Sequence, residues 1–463
     1  MTTEIKPLVP KPLVPKQYIY AFILITSLFL LWGIANDLTN PMVSAFKKVM
    51  HELSNFEAAL VQLAFYGGYA TMAIPAALFI RRFSYKAGIL LGLGLYASGA
   101  LLFYPAAANE QFGFFLASLY VLTFGLAFLE TTANPYVLSM GPAETATRRL
   151  NLAQSFNPMG SLMGMLAAQI LVIKSLQSDN IFGENIVGPA GDIIHQKGEL
   201  IYDTLPAIEQ ATIRTNDLGI ISGPYIGLGI LVLIILLIMA VSKMPGKKDK
   251  TNLPIGKTFS QLFKNKRYRE GVITQAFYVG AQIMCWTFIY QYVDNINADL
   301  PESEHLTATW YNMAAMIAFM SGRWMSTLLL KFLNPARLMF FFALGGILMT
   351  IGTIFIPGVF GLYCLVGISV FMSLMFPTIY GIALRDMGDE AKIGSAGLVM
   401  AIVGGALMPP LQGRILDFGG DGFADVQLFG YIPEVAFSFA LPLVCLIIVA
   451  IYSWRSFKIH LNQ

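Results

Sequence analysis

Twelve mainly apolar runs, each roughly 20 residues or longer, divide this chain, and a run of that length can cross the hydrocarbon core of a bilayer as a helix. They cover residues 18–46, 57–80, 87–107, 112–140, 150–173, 218–242, 268–297, 304–332, 336–356, 359–385, 391–417 and 431–456. No water in the bilayer core can pair with backbone amides and carbonyls, so an apolar run without strand-like alternation has only the helix open to it. Composition points the same way. Hydrophobic residues make up 56% of the 463 and charged residues 12%, where a soluble domain carries about a quarter charged residues. The chain is therefore expected to be an all-α polytopic membrane protein embedded in the lipid bilayer. Its first run is too long for a cleaved signal peptide and lacks a cleavage pattern, so it is expected to stay as a helix. The repeat KPLVP-KPLVP before it, Lys6–Pro15, favours an extended leader.

Lysine and arginine accumulate in cytoplasmic loops close to helix ends. With the N-terminus inside, 23 of the 30 fall on the inner side and five on the outer side, while Arg323 and Arg414 lie within spans. Both termini are therefore expected in the cytoplasm. The densest basic loop, containing KKDK and KNKRYR, separates six runs from six. The expected organisation is a cytoplasmic leader over 1–17, a six-helix half over 18–242, a linker over 243–267, a second six-helix half over 268–456 and a tail over 457–463. An internal echo supports duplication: Arg82-Phe83 with Lys86 after the second run resembles Lys331-Phe332 with Arg337 after the eighth, and Asn134-Pro135 resembles Phe376-Pro377. Such repeats place a substrate site near the midplane between the halves. The long polar outer segment over 175–216 has no legible role.

Ionisable groups inside a bilayer are costly, so each one is a functional candidate. Asp37, Glu130 and Arg323 stand out. In the first run Trp32, Asn36, Asp37 and Asn40 share one helical face, and Pro41 follows at once, where a kink would free backbone carbonyls. That face fits a substrate-lined cavity or an interhelical hydrogen-bond knot. Glu130 lies well inside the fourth run, with Asn134 one turn on. Burial disfavours its charged form, which suits a carboxyl that exchanges protons during a cycle; the alternative is a carboxylate permanently paired with an arginine. In the fifth run Asn151, Gln154, Asn157 and Ser161 share a face, and amides both donate and accept, as sugar hydroxyls require; helix packing explains the same spacing. Tyr278, Gln282, Trp286 and Tyr290 recur every four residues in the seventh run. Such a stripe is either a flat platform for a sugar's C–H face or packing and interfacial belt. Arg323 either balances an acid or ties a cytoplasmic gate, and gating is the expectation preferred.

Enzymatic readings find little support, so no catalytic or metal-ligating residue is assigned. His51, His195, His305 and His460 lie outside the runs or at their ends, which leaves no intramembrane metal cluster or histidine-based triad. No G-x-x-x-x-G-K-[ST] loop is present, so ATP is not the evident energy source. Cys285, Cys364 and Cys445 fall within runs and read as small buried hydrophobes rather than a disulfide framework. No basic patch points to nucleic acid.

The order of these features resembles the fucose–glucose/galactose–proton symporter family of the major facilitator superfamily, with the bacterial L-fucose permeases the closest likeness. The resemblance rests on WGIANDLTNP, RRFSYKAGILLGLGLYASGALLFYPAA, FLETTANPYVLSMGP, RLNLAQSFNPMGS, QAFYVGAQIMCW and MFPTIYGIALRDMG, which span most of the chain. It implies a twelve-helix major facilitator fold in a bacterial inner membrane, alternating access, a monosaccharide site between the halves and protons driving uptake. By that resemblance Glu130 matches the embedded proton-coupling glutamate. Gln154 and Asn157 match polar cavity residues, and Tyr278, Gln282 and Trp286 match the stripe on the seventh helix. The full expectation has Glu130 and Asp37 coupling protons, and Asn36, Asn40, Asn134, Gln154, Asn157, Tyr278, Gln282 and Trp286 binding sugar. Arg323 gates, no cofactor is needed beyond the proton as coupling ion, and the carrier is a monomer.

One departure stands out. The permeases carry aspartate at the position of Asn40 and asparagine at that of Asp37. Here the acid stands one turn earlier on the same face, which fits either a simple exchange of acid and amide or a different sugar or altered coupling. L-fucose remains the first expectation among hexoses and N-acetylhexosamines. An uncoupled sugar facilitator or antiporter is the alternative on the same fold. A sugar-binding receptor is a remoter one, since only a few residues follow the last run.

Overall fold

A computed structural model describes residues 12–39, 42–50, 53, 55–178, 186–187, 193–195, 205–245, 255–298, 300–356, 358–416, 427–428 and 430–461. Asn40, Pro41, most of the proline-rich leader and part of the linker lie outside the described residues. Twelve helical spans run through the rest. They are α1 (Lys16–Thr39), α2 (Asn55–Arg82), α3 (Tyr85–Asn109), α4 (Phe112–Ser139), α5 (Ala143–Ser175), α6 (Ala207–Val241), α7 (Lys266–Asn297), α8 (Ala308–Leu329), α9 (Pro335–Phe355), α10 (Gly358–Ala383), α11 (Ala391–Leu416) and α12 (Glu434–Lys458). All but α8 are long and apolar enough by composition to cross a membrane. α8 is a continuous helix too, but it carries Asn312 and Arg323 on its buried side, and these lower its hydropathy.

Both halves pack in the same pattern. In the first, α1 packs on α5, α2 on α4, α3 on α4 and α3 on α6; six helices later the same pairings recur as α7 on α11, α8 on α10, α9 on α10 and α9 on α12. Small residues permit the closest crossings, as expected where helices associate by van der Waals contact in lipid. A Cβ on Gly160 of α5 would run into the Leu30 carbonyl of α1, and one on Gly404 of α11 into the Ala276 carbonyl of α7.

The spans are not smooth rods. α5 breaks at Ser155–Phe156 and restarts with Pro158 in its first turn. α7 is interrupted at Phe288, and α10 breaks just before Met375. α6 begins at Ala207, earlier than the 218 expected, so a helical extension takes up part of the outer segment. At its base the Asp217 carboxylate accepts from the Gln177 and Ser178 amides at 2.7 and 2.9 Å, tying the end of α5 to α6. A two-stranded pairing of Ile186–Val187 with Ile193–His195 fills another part of that segment. On the opposite face Lys86 donates to the Ala240 and Ser242 carbonyls at 2.7 and 2.8 Å, a cation at the carbonyl-rich end of α6.

Candidate functional site

A cavity of about 850 Å³ opens between the halves at the face carrying the α1–α2, α5–α6 and α7–α8 connections. Its polar lining comes from Asp37 on α1, Tyr66 on α2, Gln169 on α5, and Thr287, Tyr290, Thr309 and Asn312 on α7 and α8. Trp286 supplies the broad apolar surface, with Met165, Met313 and Met316 around it. This mixture of a flat ring, flexible thioethers and a few polar groups is the chemistry of a small-ligand site.

Trp286 is held by two contacts to its ring and one to its backbone. Its indole nitrogen donates to Ser369 Oγ at 3.2 Å, its carbonyl accepts from Asn312 Nδ2 at 3.0 Å, and Phe319 packs edge-on at 5.1 Å between centroids. Asp37 is 8% exposed, within electrostatic reach of the Tyr66 hydroxyl. On the same face of α1, Trp32 Nε1 donates to Tyr69 Oη at 2.6 Å.

Below the cavity the halves are closed against each other. Asn151 Nδ2 donates to Thr378 Oγ1 at 3.2 Å, and the Ser155 and Thr327 hydroxyls meet at 3.3 Å. Farther along, the Lys392 ammonium of α11 lies over the Tyr85 ring of α3 at 5.2 Å. The arrangement has one mouth open and the other sealed.

Arg323 is central to the seal. Proline lacks an amide hydrogen, so Pro158 leaves the Gln154 carbonyl without its helical donor, and Pro377 does the same to the Ser373 carbonyl. Arg323 Nη1 donates to the first at 3.3 Å and Nε to the second. Its guanidinium also stacks over Phe319 at 5.0 Å. One buried arginine thus satisfies carbonyls from two broken helices, one in each half.

Glu130 lies deeper, on α4, at 1% exposure. Neither carboxylate oxygen has a hydrogen-bond partner among the described residues, and the Tyr69 and Tyr380 hydroxyls are within electrostatic reach. Its backbone is wired to the seal: Asn134 Nδ2 donates to the Glu130 carbonyl at 3.1 Å, and Gln154 Nε2 donates to Asn134 Oδ1 at 2.8 Å. Gln154 is the residue whose carbonyl Arg323 holds.

The candidates from sequence therefore fall into distinct places. Asp37 and Trp286 line the cavity. Glu130, Asn134, Gln154 and Arg323 form the wired layer beneath. Tyr278 is fully buried and donates to the Met372 carbonyl at 3.1 Å. Asn157 donates to the Phe29 carbonyl at 3.3 Å, bridging α5 and α1. Asn36 and Gln282 are half-buried and are not part of the cavity lining. Asn40 lies outside the described residues.

Sequence reasoning missed Tyr66, Gln169 and Asn312. Two of them carried a signal. Continuing the α5 stripe from Asn157 and Ser161 in steps of four reaches Met165 and Gln169, and Asn312 shares a face with Arg323 three turns away on α8.

Comparison with known proteins adds the family context. The Major Facilitator Superfamily model matches residues 18–186. The L-fucose-proton symporter of Haemophilus influenzae is 55% identical over 96% of this chain and 98% of its own length. The L-fucose-proton symporter of Escherichia coli is 32% identical over 88% of this chain and 89% of its own length. Among solved structures, the major facilitator transporter FucP in its outward conformation superposes with a TM-score of 0.79 at 30% identity, over 95% of this chain and 99% of that one.

Proposed function

The chain belongs to the major facilitator superfamily, in the branch of the L-fucose–proton symporters, and from that premise we propose that it carries L-fucose into the cell together with protons. It is a secondary transporter, not an enzyme. The observation that supports this reading most directly is Glu130, a fully buried carboxyl without a hydrogen-bond partner among the described residues, beneath a cavity open at one mouth and sealed at the other. A charge in that setting is costly. Glu130 therefore binds a proton while the carrier faces outward and releases it once the inner side opens to water.

The cycle follows from the two layers. Sugar enters the cavity and stacks on Trp286, with its hydroxyls within reach of Asp37, Gln169 and Asn312. Protonation neutralises Glu130, and the halves rock about the loaded site. The Asn151–Thr378 and Ser155–Thr327 contacts then part, and Arg323 releases the Gln154 carbonyl. In this reading both termini lie in the cytoplasm, as the loop charges favour, the chain resides in the bacterial inner membrane as a monomer, and the proton is its only coupling species.

The test is transport in proteoliposomes. L-fucose and its close epimers should compete in L-fucose counterflow, and an inward proton gradient should drive accumulation. Glu130→Gln should abolish accumulation while counterflow survives. Full proton-driven accumulation by that variant would remove Glu130 from the mechanism. The exchange of acid and amide between Asp37 and Asn40 favours a second reading, a different hexose or N-acetylhexosamine on the same mechanism. Competition by glucose, galactose or N-acetylglucosamine without L-fucose would select it.

A further inference from the structure

α11 carries two adjacent prolines, Pro409 and Pro410, inside the helical stretch Gly404–Leu416. Each deprives the carbonyl four residues earlier of its helical donor, and those carbonyls belong to Gly405 and Ala406. All four residues line the cavity. Gly405 lets α11 pack closely on α7, since a Cβ there would lie 2.9 Å from Ile283 Cγ1 and 3.2 Å from Val279 Cγ1, and it comes within 3.7 Å of the Tyr66 ring of the opposite half.

The contrast with α5 and α10 is informative. There the carbonyls freed by Pro158 and Pro377 are both taken by Arg323. Among the described residues no side chain donates to the carbonyl of Gly405 or Ala406. A carbonyl left without a partner is costly unless water or a ligand supplies one, and broken membrane helices are tolerated where their freed backbone lines a cavity. A sugar brings an excess of O–H donors, while Asp37 is the one carboxylate among the described lining residues and the methionine thioethers accept only weakly.

We propose that the Gly405 and Ala406 carbonyls form a hydroxyl-accepting subsite, by which the second half holds the sugar while Asp37 holds it from the first. The subsite rests on the sugar-symport reading and adds the atoms through which α11 senses substrate. Because the acceptors are backbone atoms fixed by the proline pair, they favour a ring with hydroxyls on that edge and take no part in proton binding.

The experiment is a protein–ligand double-mutant cycle read by calorimetry. Purified wild type, Pro409→Ala and Pro410→Ala are titrated with L-fucose and with its 2-, 3- and 4-deoxy analogues. Alanine restores the amide hydrogen and closes the carbonyl within the helix. At least one deoxy analogue should bind the wild type about three- to tenfold more weakly than L-fucose, the worth of one neutral hydrogen bond, and that loss should vanish in an alanine variant. If every analogue loses the same factor in all three proteins, the prolines only shape the helix and the subsite does not exist. Pro224→Ala in α6, outside the cavity lining, serves as control; a loss that vanishes there too overturns the proposal. Failure of the wild type to bind L-fucose would sink the substrate assignment instead, and the same cycle with the sugar that competes in counterflow would still decide the subsite.

Discussion

Arg323 Nη1, in the second six-helix half, donates to the carbonyl of Gln154 in the first, 3.3 Å away. The acceptor is available because Pro158 cannot supply the helical amide hydrogen, and the second acceptor, Ser373, is freed by Pro377 in the same way. A contact that joins two proline breaks across the interface between halves must part when the inner side opens.

Arg323→Gln should therefore weaken the sealed state. Removing a charged donor from two buried carbonyls costs about 1–3 kcal/mol for each group left unsatisfied, enough to shift the conformational balance toward inner opening by tenfold or more. Spin labels at the inner ends of α5 and α10 should report a longer distance in the variant. Arg323→Lys should restore little, since an ammonium cannot span two acceptors as a planar fork does. Unchanged distances would mean that Arg323 only supports local packing.

Glu130 predicts a pH dependence. In the proposed cycle sugar loads with the protonated carrier, so uptake should fall as external pH rises and the protonated fraction declines. In Glu130→Gln the residual exchange should be flat across the same range. The measurement is initial uptake and counterflow against external pH; a slope that persists in the variant would move the coupling to Asp37.

The exchanged pair on α1 can be tested by restoring the order seen in the permeases. Asp37→Asn should reduce L-fucose affinity, because the cavity loses its acidic acceptor. Asp37→Asn combined with Asn40→Asp should recover most of it, since the acid is only moved three residues along the sequence. Failure of the double variant to recover would show that this carrier's site has been rebuilt around Asp37.

The Trp286 ring is braced by Ser369 and Phe319, so it is oriented before any sugar arrives. Trp286→Ala should weaken sugar binding by about tenfold through loss of stacking area, and Trp286→Phe should retain most of it. Equal losses in both would place the important contact at the indole N–H rather than the ring face.

Asp217 makes a purely structural prediction. Its carboxylate accepts from two amides at the end of α5, so Asp217→Ala should lower stability by about 1–3 kcal/mol, read as a lower Tm in detergent, with sugar affinity unchanged.

Much of this molecule was legible in one dimension, and the reasons differ by residue. Span length and loop charge follow from the bilayer's thickness and from the cost of lipid-exposed backbone, which act on each segment separately. Glu130, Asp37 and Arg323 stood out because an ionisable group inside a membrane is expensive wherever it ends up. The stripe on α7 was visible as spacing, yet its members have different fates: Trp286 faces the cavity, while Tyr278 is buried with its hydroxyl on the Met372 carbonyl. Spacing defines a shared face but not how far along the helix the cavity extends.

The sequence by itself determined the membrane class, the number of spans, the six-plus-six plan and the few polar groups whose burial needs a purpose, because these follow from local hydropathy and side-chain chemistry. Only the tertiary structure decided which of those groups share a cavity and which brace its floor. It also joined Pro158 to Pro377 through Arg323 and opened one mouth while sealing the other. Those outcomes depend on contacts between helices hundreds of residues apart in the chain, where packing and hydrogen-bond satisfaction, rather than the preference of any single segment, set the arrangement.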